Sequence, residues 1–570
     1  MINKVELGSV EKKNNPQIGT IKPQTSFKGV GDILLKGIQV CEQRPMVNVA
    51  VLDSSTAIIP RTVLETVIGS KQKDENGNEL KERKFNLLAG FEAFRREFSG
   101  LFINCLIPSF VVIGVAKLFN KPIMGNFSAS DLTKSWANGD TIGYVEKYYK
   151  NAEGSTKEDR IFNTLKSMFD DIEGVNGDID KGGLKKFSSI FADDSEYVDK
   201  LREMTKNILS DKPKKGYSKD IYKYLVEKSG IAENIKFSDS KGFMAGDLSH
   251  LCDSVADVLH GAVKEGIIKD YAPDLVAQSG LSEVAKGEYE QLSKYLSKAK
   301  KLVNIKSLAG LGVIIPLAIS AQPINRWITH KMAGKKGAPI YNDDKERILT
   351  SDEKKKLTAE KFFAVPLMWG VAALSMLMDK PSLKMFQFKG LFPTMDQARI
   401  ISAATFSSRI AASEDSNELV ENTVRDIATF SSFYFLGDYA AKGIATYLEK
   451  HNKHGIELTN KLKNSDKDAN IIKKFWTWAK HTKMKTTDEL SHIANKAVRS
   501  KAVNMRALCQ AGNLIFSFIS LGIFIPLYTR TQTNKKKQNE IVGDTVMSSS
   551  QIPFLQKAQD KSPAFKAFFG

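Results

Sequence analysis

The sequence predicts a mainly α-helical, multi-pass membrane protein with an inserted soluble helical domain and the marks of an internal duplication. Three observations lead there. Five blocks are largely apolar: Leu101–Phe119, Ser307–Ala321, Phe362–Met378, Ala428–Leu448 and Ala511–Thr529. A long polar stretch with helical periodicity separates the first two. A short phrase, "LGVIIPL" from Leu311, returns as "LGIFIPL" from Leu521. A mean hydropathy of −0.26 looks ordinary for a soluble chain, but an average conceals apolar blocks set in a polar majority.

The 570 residues are enough for several domains. A net charge of +18 favours an anionic partner. Lysine supplies most of that charge, whereas arginine is the residue that forks onto phosphates and bases, so nucleic acid is the less favoured partner. The expected partners are the bilayer and anionic lipid head groups, the latter met by lysine-rich flanks. Cys41, Cys105, Cys252 and Cys509 stand far apart with no C-x-x-C pair, which argues against a disulfide scaffold or a structural zinc site.

Residues 1–80 read as a polar, flexible leader with no apolar signal core, followed by a short mixed segment, "VNVAVLDSSTAIIPRTVLETVIG". Residues 81–126 hold the first membrane segment with its basic flank, Arg95 and Arg96. Residues 127–302 read as the soluble domain, with helical pieces such as "RIFNTLKSMFDDI" and "YVDKLREMTKNIL". The second and third membrane segments and a basic loop fill 303–380. A second-half repeat with an amphipathic fourth segment covers 381–448. A basic helical region, "NIIKKFWTWAKHTKM" among it, covers 449–510 and suits a helix lying at a membrane surface. The last membrane segment and a basic tail, Lys535–Lys537, fill 511–570.

Crossing a bilayer takes about 17–25 apolar residues, and the first, third and fifth blocks reach that length nearly without charge. Four blocks carry an interior proline, Pro108, Pro316, Pro366 and Pro526. Such a proline costs about 3 kcal/mol in a water-exposed helix, and is better tolerated where neighbouring helices re-satisfy the freed carbonyl.

The duplication rests on three matches in the same order: "SFKG" at Ser26 with "QFKG" at Gln387, the stretch from Phe94 with that from Thr423, and the "LG..IPL" phrase. The middle match sets Arg96-Glu97 on Arg425-Asp426. Five spans would place the second half inverted relative to the first, as in many transporters. The basic loop between Ile328 and Lys361, and the Lys81–Arg96 flank, are expected in the cytoplasm together with the N-terminus. The tail "TRTQTNKKKQ" then falls on the wrong side.

Asp438 and Lys442 lie four apart on one helix face and form a candidate intramembrane polar pair, reading either as part of an ion or substrate path or as the wet side of an interfacial helix. His250, Asp253, Asp257 and His260 share a face opposite Leu251, Val255, Val258 and Ala262, a pattern more typical of a solvated face than of a metal site. "VNGDIDKGGLKKF" alternates Asn176, Asp178 and Asp180, but Lys181 and Phe187 occupy the places where a calcium loop needs Gly and Glu. No phosphate loop, nucleophile elbow or zincin motif is present. No catalytic, cofactor or metal residue is therefore expected. The function expected is structural, interaction or transport. The alternatives are a peripheral basic protein on anionic lipid or nucleic acid, or a transporter with inverted repeats.

Overall fold

The computed structural model describes residues 45–68, 85–120, 139–333, 349–377, 394–463 and 469–528 apart from a few positions within them, and isolated residues such as Cys41, Gln387 and Phe388. The leader through residue 36, the loop 334–348, Pro526 and the tail from 529 lie outside the described residues. The protein is mainly helical with little sheet, as expected.

The mixed segment of the leader region is helical. Helix α1 (Pro45–Asp53), a π-helical turn (Ser54–Ile58) and α2 (Ile59–Ile68) run on without a break. Helix α3 (Leu87–Leu101), a second π turn (Phe102–Leu106) and α4 (Ile107–Asn120) form the next rod. Each π turn ends just before a proline, Pro60 or Pro108. A proline ring clashes with the carbonyl four residues back. Those carbonyls, of Thr56 and Asn104, sit inside the π turns, where the wider coil relieves the contact.

The first insert follows. Helices α5 (Gly139–Lys150), α6 (Lys157–Asp170), α7 (Phe187–Ile190), α8 (Ser195–Leu209), α9 (Tyr217–Ser229) and α10 (Leu248–Lys264) surround a small antiparallel sheet. Its strands β1 (Ile172–Val175), β2 (Leu184–Lys186) and β3 (Ile235–Phe237) lie in the order β2-β1-β3. Phe169, Phe187, Tyr197, Leu225 and Phe237 are sealed in one core. Where described, no large hydrophobic side chain between residues 139 and 270 is exposed.

After α11 (Pro273–Ser279), α12 (Leu281–Ala333) runs for 53 residues. Its first turns pack into the insert core through Leu292, Leu296 and Val303. It crosses the expected boundary at 302 unbroken and continues into the bundle. Helix α13 (Ser351–Leu377), α14 (Met395–Ala411), α15 (Ser416–Ser431), a third π turn (Ser432–Leu436) and α16 (Gly437–His451) follow. The second insert holds β4 (Thr459–Lys461), α17 (Ile471–His481), β5 (Thr482–Met484) and α18 (Thr487–Ser491). Helix α19 (Lys496–Ser517) and a π-helical end (Phe518–Phe524) close the described chain.

Packing fixes the direction of each helix. Ser307 of α12 receives the Phe388 N–H, Ser408 of α14 donates to the Ile319 carbonyl, and Arg326 pairs with Glu414 at 3.0 Å and with Glu418. Helices α12 and α14 therefore run side by side in the same sense. So do α1–α2 and α19: Asn48 and Leu52 share a cavity with Gln510 and Asn513, while Pro60 and the Thr56 carbonyl flank Gly522. Helices α3–α4 and α15–α16 return against them. The inverted relation expected from five spans is not what these helices adopt, because α1–α2, α13 and α14 join the bundle as well.

The two inserts touch at one end of the bundle. The Lys461 N–H donates to the Gly177 carbonyl at 2.9 Å, and the Gly177 N–H donates to Asn460 Oδ1 at 2.7 Å. Tyr222 donates to Asp488 at 2.8 Å, and Glu489 accepts the Ala232 N–H at 3.1 Å. Burial pushes the Glu489 carboxyl up, against the backbone N–H groups it accepts. The sequence separation of these partners exceeds 250 residues, so nothing local in the sequence announces them.

Candidate functional site

Two polar features lie inside the helical bundle. The first is a seam of buried charge. Glu97 of α3 accepts from Arg61 Nη1 of α2 at 2.6 Å. Arg409 of α14 bridges Glu97 at 3.5 Å and Asp426 of α15 at 3.0 Å. Arg425 adds an Nε contact to Asp426 at 3.5 Å. Asp53 of α1 lies within electrostatic reach of Glu97, Arg61 and Arg409. The Asp426 side chain is only 1% exposed. Arg61 Nε and Nη2, Arg409 Nε and Asp426 Oδ2 are buried with no hydrogen-bond partner.

Helical periodicity explains why these charges face inward. Phe94, Phe98 and Phe102 are exposed in a stacked row along α3 and its π turn, and that outward row turns Glu97 to the opposite side. Glu97 and Asp426 are the acidic residues that the duplication match aligned. The structure brings both onto one arginine. Sequence reading noted the alignment and did not single the carboxylates out. The signal was there: an Arg-Glu or Arg-Asp step beside an otherwise apolar run.

The second feature is a cavity of about 220 Å³ between α1, the end of α13, α14, the third π turn, α16, α17 and α19. Its polar lining includes Arg399, Asp438, Lys442, Lys483, Gln510 and Asn513. The pair singled out in the sequence forms: Lys442 Nζ meets Asp438 Oδ2 at 2.8 Å. The two differ in exposure, for the Lys442 side chain is 5% exposed and that of Asp438 56%. Lys442 is thus not on a wet helix face. Arg399 donates to Asp396 at 2.8 Å and to the Tyr434 carbonyl at 3.3 Å.

The four-residue row on α10 does not assemble a site. His260 is buried, with Nδ1 2.7 Å from the Ile208 carbonyl. Asp253 accepts from Ser218, a contact between neighbouring helices. A uniformly solvated face was expected, and His260 corrects it: α8 packs over that end of the row. Among the described residues no group of three or more His, Cys, Asp or Glu is placed to hold a metal ion. In the calcium-like loop, Asp178 caps a short 3-10 turn and Asn176 accepts from Lys485 at 2.9 Å, so the loop serves the contact between inserts.

Comparison with protein-family models, with curated proteins and with solved structures finds no match.

Proposed function

We propose that the chain is a multi-pass integral membrane protein made from two parallel copies of one helical unit, acting in structure, interaction or transport rather than in catalysis. The observation that carries this reading is the reversal of polarity between its two parts. In the first insert the apolar side chains are inside. In the bundle they are outside: Phe110, Leu308, Phe362, Phe363, Ile519 and Phe524 are exposed while Arg61, Glu97, Arg409 and Asp426 are buried. Water punishes that arrangement, and lipid favours it. Four helices, Gly90–Val115, Leu281–Met332, Ser351–Leu377 and Lys496–Phe524, are long and apolar enough to cross a membrane.

The duplication draws support from a shared plan. The π turns at Phe102–Leu106 and Ser432–Leu436 fall one residue apart when Phe94 is set on Thr423. The packing is reciprocal as well, α1–α2 against α19 and α14 against α12. In each half one insert separates the second rod from the third. Helix α13, crossing between the halves, restores the direction and makes the copies parallel. In this topology the connections after α2 and after α12 and the C-terminal tail share one face. The lysine-rich tail then no longer conflicts with the basic loops, and the start of α1 moves to the opposite face, the reverse of the orientation expected from five spans.

Membranes carrying the chain are washed with alkaline carbonate and with high salt. Retention in the pellet, with release only by detergent, is expected. Release by either wash assigns the chain to the peripheral, anion-binding class. The unpartnered polar atoms on the seam favour transport as a second reading, since buried charge between two halves is where a moving ion or proton finds its partners. In sealed proteoliposomes a proton or ion flux lost in Asp426→Asn supports it, and no flux in the unaltered protein removes it.

A further inference from the structure

We propose that the cavity beside α16 is a headgroup site for an anionic phospholipid, with the acyl chains lying in the apolar groove between the end of α13 and α17. This rests on the membrane reading above and adds a specific ligand and place to it.

The chemistry of the lining selects the charge. Arg399, Lys442 and Lys483 bring three cationic groups to the cavity, and Asp438 is the acid among its lining residues. Asn48, Gln510 and Asn513 add amide donors. That set suits a phosphate ester, with cations for its charge and amides for its oxygens. At about 220 Å³ the space is below the roughly 300–1,000 Å³ of a typical small-molecule pocket, a size for a headgroup and not for a whole lipid.

The surroundings select the lipid over a free phosphate. Leu374, Leu377, Trp476, Ala479 and Lys480 line a second, narrow groove that shares Ala479 with the cavity. Leu374, Leu377 and Trp476 are each about half exposed. Helix α17 continues the apolar surface outward with Ile471, 85% exposed, and Ile472, 78% exposed. Lys473 and Lys474 stand beside them in sequence. Such a helix lies at the membrane surface, apolar face in the acyl boundary and lysines among head groups. The Trp478 indole N–H donates to Thr446 of α16 at 3.2 Å, tying α17 to the cavity wall. Charge on one side and oil on the other is the pattern of an amphiphile.

The test uses the full chain, purified in detergent and returned to nanodiscs. Native mass spectrometry reads retained lipid against mixtures of phosphatidylglycerol and phosphatidylcholine, and a parallel arm titrates inorganic phosphate. Expected is selective retention of phosphatidylglycerol, weakened about tenfold by Lys483→Ala, the loss of one charge-assisted contact. Asp438→Asn removes the opposing charge and tightens retention, a gain that a purely structural role for Asp438 does not give. Ser375→Phe, which fills the cavity wall, abolishes the selectivity, with circular dichroism reporting an intact fold. Equal retention of both lipids in every variant overturns the proposal. Saturation by inorganic phosphate with no lipid preference overturns it too, in favour of a soluble phosphate ligand. A chain that carbonate releases from membranes fails the membrane reading itself, a result distinct from either.

Discussion

Arg409 carries the contact between the two halves, holding Glu97 on one side and Asp426 on the other. Breaking one partner of a buried pair leaves an uncompensated charge and costs about 3–5 kcal/mol. Arg409→Met is therefore expected to lower the unfolding free energy in detergent by that order. In a double-mutant cycle, Arg409→Met combined with Asp426→Asn should recover part of the loss; strict additivity would show that the seam is not one network. In the first insert, the Tyr224 hydroxyl donates to Asp194 at 2.6 Å and holds its carboxyl below the usual range, with Lys228 adding to the effect. A depressed carboxyl contributes stability above its unfolded value of about 3.9, and that contribution is lost as pH falls through the lower folded value. Tyr224→Phe should thus weaken hydrogen-exchange protection of α8 and α9 at neutral pH, and the gap from the unaltered protein should close below about pH 4. A gap that stays constant with pH contradicts the assignment. At this scale the sequence showed the Asp438–Lys442 pair through simple helical spacing. It did not show the seam, because Arg61 and Arg409 reach their carboxylates from other helices, and spacing within one helix carries no information about that.

The apolar helices α3–α4, α12, α13 and α19 coincide with four of the blocks read from the sequence, since lipid-facing surface must be apolar whatever lies behind it. Helices α1–α2 and α14 were passed over for the complementary reason. Every residue of α14 from Gln397 to Ile410 is buried, so its serines, threonines and arginines meet protein on all sides and nothing in "SAATFSSR" resembles a span. The fourth block was diluted by the same inward-facing polar residues. The repeated phrase divides at its glycines. A Cβ on Gly522 would stand 3.1 Å from the Thr56 carbonyl and 3.2 Å from Pro60, whereas one on Gly312 meets nothing within 4 Å. Gly522→Leu is expected to push α19 off the first π turn at a cost of about 1–3 kcal/mol, and Gly312→Leu to be nearly silent. Thermal unfolding of the two variants in detergent checks this; equal effects would mean that α1–α2 and α19 do not approach so closely.

On the scale of the whole molecule, the inserts and the bundle are two solvents' worth of protein in one chain. The alternation of polar and apolar pieces was legible, and so was the helical insert. The relation between the halves was not, because counting blocks counts only lipid-facing helices and the direction of the second half turns on every crossing. With seven crossings, single cysteines at Lys215 and Lys453 in a cysteine-free chain should react with an impermeant maleimide from the same side of sealed vesicles. Labelling from opposite sides restores the inverted arrangement. The membrane assignment itself is tested most directly by a phospholipid bearing a photoactivated carbene on its acyl chain. The account predicts crosslinks on the outward rows of α3–α4, α12, α13 and α19, Phe110, Phe362 and Phe524 among them, and none in the first insert's core. Crosslinking no greater on those rows than on the insert surface would contradict it.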